Sequence, residues 1–466
     1  MRKRAKIVAT LGPASSSREV LRRMVSAGLD VVRLNMSHGS SAEHAERVNL
    51  VRSVEEESSS PLPILIDLCG PKIRIGKLPK EPLYLHRGEL VVLTTGKPSG
   101  GKIPVNYPNL HREVKKGEEL LLADGAFRLK VKEVKGRDIV CEVLVGGPLT
   151  SHKGVNLPHT SLSLPALTEK DREDVKFAVK VGADYIALSF VRRADDVLEL
   201  KAFLRELGAQ IPVIAKIEKP EAVKRIDEIL YVADGIMVAR GDLGVELPIE
   251  KVPVIQKLLI KKANEAGKPV ITATQMLKTM VDLPTPTRAE VTDVANAVLD
   301  GTDALMLSEE TAVGKYPIRV IRTMARIIRE AEKIYPYERF LNLPTRGLQD
   351  SLAKSACLLS REVRVRGIVP FTRSGATAQA VSRFRPSVPV YAVTHDEKTF
   401  RRLNLLWGVY PFLTVPATTT DRIIEESLNV AKAKGIAKRG DKIIVLAGAP
   451  TGVPGTTNLL KVVTVK

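Results

Sequence analysis

An apolar, strand-length run followed by an amphipathic, helix-length one recurs through the first 340 residues. That alternation restricts the chain to a parallel sheet sheathed in helices. The strand candidates are 6–11 (KIVATL), 31–36 (VVRLNM), 63–69 (PILIDLC), 184–190 (DYIALSF), 212–218 (PVIAKIE), 235–240 (GIMVAR), 269–275 (PVITATQ) and 303–308 (DALMLS). Eight is the number that closes a (β/α)8 TIM barrel, although a doubly wound sheet alternates in the same way. Helices are expected between the strands. Thr287 and Glu290 stand at capping-box spacing at the start of 287–299, and Thr168 with Asp171 opens 168–181 in a similar pattern.

The alternation breaks after the third strand. Between Gly70-Pro71 and Asn156-Leu157-Pro158 the texture becomes all-β: EPLYLHRGELVVLTTG, EELLLADGAFRLKVKEV and RDIVCEVLVGG alternate apolar and polar residues. Turn chemistry stands at Ala123-Asp124-Gly125 and Lys135-Gly136-Arg137-Asp138. Residues 72–157 are therefore expected to form an inserted small β-barrel domain. An insertion between a barrel strand and its helix emerges at the C-terminal face, where active sites of this fold form, so it is placed to act as a lid. From about residue 341 a helix and then strands at 367–372, 388–394, 409–414, 442–447 and 459–465 suggest a C-terminal open α/β domain. The expected organisation is a catalytic barrel of residues 1–71 and 158–340, a lid of 72–157 and a C-terminal unit of 341–466.

Composition removes several function classes. Mean hydropathy is near zero and no apolar run approaches the ~18 residues of a membrane span, so no membrane is expected. The N-terminal MRKRAKIVATLG lacks the apolar stretch and cleavage site of a signal peptide, and a cytoplasmic protein is expected. Cys69, Cys141 and Cys357 are odd in number and widely spaced, which suits neither a disulfide framework nor a zinc site. Lys plus Arg exceed Asp plus Glu by 72 − 53 = 19, a balance that fits nucleic acid, a membrane surface or a polyanionic small substrate. Aromatics are only 4%, which argues against base stacking, and the cations are spread along the chain with acidic residues at helical spacing. Nucleic acid is not the expected partner.

Chemistry gathers at the C-terminal ends of the strand candidates, which in a barrel point into the site. The second ends with Arg33, Asn35, Ser37 and His38; the third with Asp67; the fifth with Lys216 and Glu218. The sixth ends with Arg240 and Asp242, the seventh with Thr274 and Gln275, the eighth with Ser308, Glu309 and Glu310. A structural barrel end needs some solvated polar residues, but not cations and carboxylates converging from so many strands. Glu218 and Asp242 offer hard oxygens to one Mg²⁺ or Mn²⁺. Lys216, two residues before Glu218, faces the same way on a strand, so a plain salt bridge competes with the metal reading until Asp242 joins them. Arg33 and Arg74 are planar donors suited to phosphate, and Gly241 opens a helix whose N–H groups can hold a carboxylate. Thr274 is either a proton relay or a structural hydroxyl. In the C-terminal unit, Thr372-Arg373-Ser374-Gly375-Ala376-Thr377 lies between strand and helix, where it is either a phosphate cradle or an ordinary cap.

Read together, KIVATLGPAS, VVRLNMSHGS, DLCGPKIRIG, GVNLPHTSLSLPALTEKD, ALSFVRRADDV, IAKIEKPEAV, DGIMVARGDLGVELPIEKVPVIQK, ITATQML, PTRAEVTDVANAVLDGTDALMLSEETAVGKYP and IVPFTRSGATAQAVSRFRP resemble the pyruvate kinase family over nearly the whole chain. The resemblance implies phosphoryl transfer from phosphoenolpyruvate to ADP, giving pyruvate and ATP. On the matched positions it implies Glu218 and Asp242 as divalent-metal ligands, with Ala239 and Gly241 beside the substrate carboxylate. Lys216 and Arg33 then resemble the cations that stabilise the phosphoryl group. Thr274, Ser308 and Glu310 resemble parts of the system that protonates the enolate. Arg33, Asn35, Ser37, His38, Arg74, Lys153 and Asn156 resemble nucleotide and phosphate contacts. Asn35, Ser37, Asp67 and the Leu68 carbonyl match the family's potassium site. Homotetramers are usual in the family, and Thr372, Arg373, Ser374, Gly375 and Thr377 match the position of a phosphorylated effector.

Two departures carry meaning. Lys72 stands where many members have Glu, and Leu68 where Thr is common, a pattern that resembles the potassium-independent branch. A tethered ammonium supplies the charge that K⁺ would bring. At ~4 Å and an effective dielectric near 20, two unit charges interact by ~4 kcal/mol, so a second cation there is disfavoured and K⁺ is not expected to be required. The other is Glu309, where Gly is commoner, which bears on the geometry around Ser308 and Glu310. The competing readings are another metal-dependent barrel acting on pyruvate or phosphoenolpyruvate, which the lid and the absence of a swivelling His domain disfavour, and a basic scaffold or nucleic-acid-binding protein.

Overall fold

The computed structural model describes residues 2–78, 80–158, 160, 163–448 and 457–466. Eight parallel strands form a closed ring: β1 (Lys6–Thr10), β2 (Val31–Asn35), β3 (Ile64–Asp67), β4 (Tyr185–Leu188), β5 (Val213–Ile217), β6 (Gly235–Ala239), β7 (Val270–Ala273) and β8 (Ala304–Leu307). Neighbours in sequence are neighbours in space, and Lys6 opposite Ala304 seals β8 onto β1. The doubly wound alternative is thereby excluded. Each strand is an almost unbroken apolar run because both faces are covered.

Strand parity divides these runs into two cores. Val8, Val31, Leu65, Ala187, Ile214, Met237, Ile271 and Met306 fill the ring interior. Ile7, Val32, Ile66, Ile186, Ala215 and Leu305 alternate with them and pack against the outer helices. Several of the helices begin where hydroxyls stop the strand-to-helix loops. Thr168 accepts from the Asp171 N–H and Thr287 from the Glu290 N–H, each completing a capping box, so helices run over Glu169–Lys180 and Arg288–Asp300.

The inserted segment carries its own core, including Leu93, Leu120, Leu129, Val131, Ile139 and Val143. Its six-stranded sheet has Val155–Asn156 at one edge and Ile103–Pro104 at the other. Residues 73–76 hydrogen-bond to both edges: Val155 N–H donates to Ile73 O at 2.9 Å, Ile75 N–H to Lys153 O at 2.9 Å and Gly76 N–H to Pro104 O at 2.7 Å. The sheet therefore wraps round on itself. In the C-terminal unit the strand order is Val409–Leu413, Val390–Thr394, Ile368–Pro370, Lys442–Gly448, Thr457–Thr464, the last antiparallel.

The bottom of the ring is plugged by the C-terminal unit. Lys6, on the inward parity of β1, is 1% exposed and donates to Val409 O at 2.6 Å, with its ammonium 4.9 Å from the Tyr410 ring centre. Burial pulls its pKa down to about 8, only partly offset by Asp30. A base with a depressed folded pKa is protonated in the unfolded chain and neutral in the folded one between pH ~8 and ~10.5, so stability rises with pH across that window. The shift corresponds to about 3 kcal/mol. Urea titrations of wild type and Lys6→Met at pH 7.5 and pH 10 should show the wild type gaining relative to the variant; parallel curves would reject the assignment.

Candidate active site

The parity that fills the ring interior also sets what lies one layer above it. Thr10 follows Val8, Arg33 follows Val31, Asp67 follows Leu65, Ser189 follows Ala187, Lys216 follows Ile214, and Ser308 follows Met306. Six strands thus deliver polar side chains to the C-terminal mouth, where the apolar layers end.

These groups form one network. Arg33 Nε donates to Asp67 Oδ2 at 2.7 Å, and its Nη1 donates to Thr10 Oγ1 at 2.8 Å. Lys216 Nζ lies 3.2 Å from Asp67 Oδ1 and 2.9 Å from Glu218 Oε1, and it donates to Ser189 Oγ at 2.6 Å. Ser189 in turn donates to Leu68 O at 2.7 Å. Asp67 therefore ties the two cations together. Burial alone would raise its pKa, but Lys216 and Arg33 outweigh that and hold it below the ordinary carboxylate value. Burial likewise works against the Lys216 ammonium, yet the Asp67 and Glu218 carboxylates hold its pKa above the usual lysine value. Glu218 moves up, chiefly through burial, with Lys216 opposing and the nearby Asp242 carboxylate adding to the rise.

Two carboxylates, Glu218 just past β5 and Asp242 in the helix Arg240–Glu246 that follows β6, thus face one region. Glu218 Oε2 accepts the Phe190 N–H at 2.8 Å, while Oε1, buried beside Lys216, accepts no well-directed hydrogen bond. Among the described residues no cluster of three or more His, Cys, Asp or Glu stands at metal-binding distance. A donor set of two hard oxygens fits a divalent cation that keeps several other positions for water or substrate. The monovalent set is more internally engaged. Asp67 holds both cations, Leu68 O accepts Ser189, and Asn35 Oδ1 accepts the Ser37 N–H at 3.2 Å. Lys72 reaches 3.8 Å from Asp242 and 3.7 Å from Asp124 on the inserted domain, and it forms no ion pair with Asp67 among the described residues.

On the opposite wall Thr274 and Gln275 take φ of 71° and 55°. For a β-branched residue this left-handed backbone costs about 1–3 kcal/mol. Arg240 holds it there, donating to Thr274 O at 2.7 Å and to Ala273 O at 3.3 Å while pairing with Asp293 at 2.6 Å. Thr274 Oγ1 accepts the Gly241 N–H at 2.9 Å and donates to Ala273 O at 2.7 Å. The Gly241 N–H, expected to hold a carboxylate, is here bonded within the chain. Ala239, buried, ends β6 beside it. Glu310 is buried and accepts the Ser308 N–H at 2.7 Å and the Leu277 N–H at 3.3 Å. Glu309, the unusual neighbour, turns outward to an ion pair with Lys278 and leaves that arrangement to Glu310.

The remaining candidates lie further out. His38 is exposed, and its carbonyl lies 2.9 Å from His44 Nε2. Arg74 opposes Gly154 across a bridge of the inserted domain and donates to His152 O at 3.1 Å; Lys153 is exposed on the same ladder. Asn156 sits at the hinge, donating to Glu246 Oε1 at 2.9 Å, where Lys219 also binds at 2.6 Å. Thr10 and Ser189 had escaped the sequence reading. Both are hydroxyls at strand ends, the same signal that marked Thr274 and Ser308.

The Thr372–Thr377 loop precedes a helix over Ala376–Arg383. Thr372 Oγ1 accepts the Gly375 N–H at 3.0 Å, and Thr377 Oγ1 lies 2.7 Å from Thr457 Oγ1. Two of its three hydroxyls are therefore engaged internally, whereas Arg373 and Ser374 are exposed. Of the neighbouring stretch 448–457, residues 449–456 lie outside the described residues, as do His159, Ser161 and Leu162 of the GVNLPHTSLSLPALTEKD segment.

The family model described as pyruvate kinase, barrel domain, matches residues 2–321, and the one described as pyruvate kinase, alpha/beta domain, matches residues 350–463. A Clostridium acetobutylicum protein called pyruvate kinase is 43% identical over 467 residues, spanning 98% of this chain and 99% of its own. A pyruvate kinase of Geobacillus stearothermophilus is 45% identical over 471 residues, spanning 99% of this chain and 80% of its own. Pyruvate kinase 2 of a Synechocystis species is 44% identical over 472 residues, spanning 100% and 80%.

Proposed function

The chain belongs to the pyruvate kinase family of phosphotransferases, and on that premise we propose that it moves the phosphoryl group of phosphoenolpyruvate to ADP, giving pyruvate and ATP. The observation that carries this reading is the Lys216 ammonium, held between Asp67, Glu218 and Ser189 at the barrel mouth. A cation fixed by carboxylates and a hydroxyl needs no reorganisation as negative charge moves during transfer.

In the proposed reaction a terminal oxygen of ADP forms a bond to phosphorus while the bond from phosphorus to the enol oxygen breaks. The electron pair stays on that oxygen, leaving the enolate of pyruvate. Arg33 and Lys216 bind the phosphoryl oxygens, with Asp67 orienting both cations. Mg²⁺ or Mn²⁺, held by Glu218 and Asp242, supplies neutralising charge when bound. The backbone of Ala239–Gly241 lies beside the substrate carboxylate, and the Gly241 N–H binds it only on leaving Thr274 Oγ1. Thr274, Ser308 and Glu310 organise the water that delivers a proton to carbon. Asn35, Ser37, His38, Arg74, Lys153 and Asn156 contribute to nucleotide binding beneath the inserted domain, which acts as the lid. Cytoplasmic location, a homotetramer and a phosphorylated effector at Thr372–Thr377 belong to the same reading; light scattering tests the assembly.

Lys72 makes K⁺ dispensable in this proposal, since its ammonium already stands 3.8 Å from Asp242. The test is pyruvate formation from phosphoenolpyruvate and ADP, with Mg²⁺ or Mn²⁺ present or chelated and Na⁺ or K⁺ as the sole monovalent cation. Activity that requires the divalent ion and is equal in Na⁺ and K⁺ is expected. Activity in K⁺ alone would reject the role of Lys72, and no turnover under any condition would reject the reaction.

A further inference from the structure

Asn35, Ser37 and His38 stand where β2 gives way to the loop leading into the helix Ser41–Ser58, and that loop is anchored at both ends. At its start the Met36 N–H donates to Asp67 O at 3.0 Å, and Lys170 Nζ donates to Met36 O at 2.8 Å. At its end Ser40 and Glu43 close a capping box. Ser37 and His38 lie on the span between these anchors, and His44 grips that span from beneath, with Nε2 2.9 Å from His38 O. We propose that His44 is a positioning residue for nucleotide binding: by holding the His38 carbonyl it sets where Ser37 and His38 meet ADP. The role rests on the reading that these loop residues contact the nucleotide.

A histidine stands here where the helix needs an apolar residue. His44, Val48, Val51 and Val54 form the buried stripe of Ser41–Ser58, and His44 is 1% exposed. A buried imidazole gives up water at both nitrogens, which is costly unless each finds a partner. A carbonyl oxygen only accepts, so Nε2 carries the proton and donates to His38 O. Nδ1 is then left with a lone pair, and Arg47 Nη1 faces it at 3.4 Å. Burial, opposed by the His38 carbonyl and aided by Arg47, holds the pKa below the ordinary histidine value, which keeps the ring neutral and in this tautomer.

The loop is shaped to sit on that ring. Gly39 takes a φ of 87°, and a Cβ there would stand 3.4 Å from His44 Nε2 and 3.2 Å from Glu43 Oε2. With no side chain in the way, the backbone settles directly onto the imidazole. Phe177, from the helix Glu169–Lys180, bounds the ring on another side, the two ring centres 6.4 Å apart. The imidazole is thus held by packing in the orientation that aims Nε2 at the loop.

His44→Leu and His44→Gln in the full-length protein test the role, by steady-state kinetics and by titration calorimetry of ADP without phosphoenolpyruvate. Leucine fills the apolar stripe and donates nothing, whereas glutamine carries an amide N–H at a reach close to that of Nε2. His44→Leu is expected to raise both KM and Kd for ADP about tenfold, with kcat and KM for phosphoenolpyruvate changed less than about threefold. His44→Gln is expected to recover most of the ADP affinity. A purely structural role gives the reverse order, since leucine suits a buried stripe better than glutamine does. Kd for ADP in His44→Leu within about twofold of wild type, or His44→Gln no better than His44→Leu, would overturn the positioning role. His44→Met, equally without a donor, replaces His44→Leu if the urea midpoint shows the latter unfolded. The calorimetry needs no turnover: a wild type that binds ADP while the variants fail these expectations rejects His44 alone, and a wild type that binds no ADP rejects the nucleotide reading and the role of His44 with it.

Discussion

Replacing Lys216 with methionine is expected to lower kcat for pyruvate formation by about 10²–10³-fold, the loss seen when one fixed donor is removed from a developing charge. The side chain is close in length, so the change removes the ammonium and leaves most of the volume. Asp67 keeps Arg33 as a partner, at 2.6 Å. Among the described residues Glu218 loses its one ion pair and is left with the Phe190 N–H and the repelling field of Asp242. A fall in kcat with KM for ADP nearly unchanged would place Lys216 at the moving phosphoryl group. Retention of more than about a tenth of wild-type kcat would remove it from that role.

Arg385→Met should destabilise the protein by about 3–5 kcal/mol, because it strips a buried carboxylate of its counter-ion. Arg385 comes from the C-terminal unit and inserts beneath the barrel, where Nη1 and Nη2 bind the two oxygens of Asp303 at 2.7 and 2.9 Å. Nη2 also donates to Asn264 Oδ1 at 2.9 Å, and the guanidinium lies over the Trp407 ring at 5.1 Å. Asp303 precedes β8 and also accepts the Val270 N–H, so the charge left behind sits at the foot of two strands. The midpoint of urea unfolding measures the loss. Arg385→Met/Asp303→Asn should recover much of it, since removing both charges costs far less than removing one. A double variant no more stable than the single one would mean that packing, and not the uncompensated charge, dominates.

The eight barrel strands were readable because each is apolar on both faces and helix-length amphipathic runs stand between them, two of them marked by the caps Thr168 and Thr287. The placing of Arg33, Asp67 and Lys216 at the barrel mouth followed from their positions at strand ends, and that of Lys216 beside Glu218 from strand parity. What parity does not carry is who meets whom across the ring. That Asp67 serves two cations, and that Ser189 links Lys216 to Leu68 O, depends on the closure of the barrel and its stagger between neighbouring strands. The loop from Thr372 to Thr377 read as either a phosphate cradle or an ordinary cap because the Thr457 partner of Thr377 is distant in sequence. Likewise, the closure of the inserted sheet runs through isolated bridges at Arg74 and Ile75, which no alternation of apolar and polar residues announces.

The inserted domain also dictates an order of assembly during synthesis. Its buried core, among the described residues, is drawn from residues 73–157, a local unit able to collapse before the rest of the chain exists. The barrel has no such freedom: β3 waits for β4, whose Ile186 stands opposite Ile66, and β1 waits for β8. A nascent chain stopped before residue 304 therefore exposes the open edge of β1, an invitation to pair with a neighbouring chain that ends only when the final strand arrives.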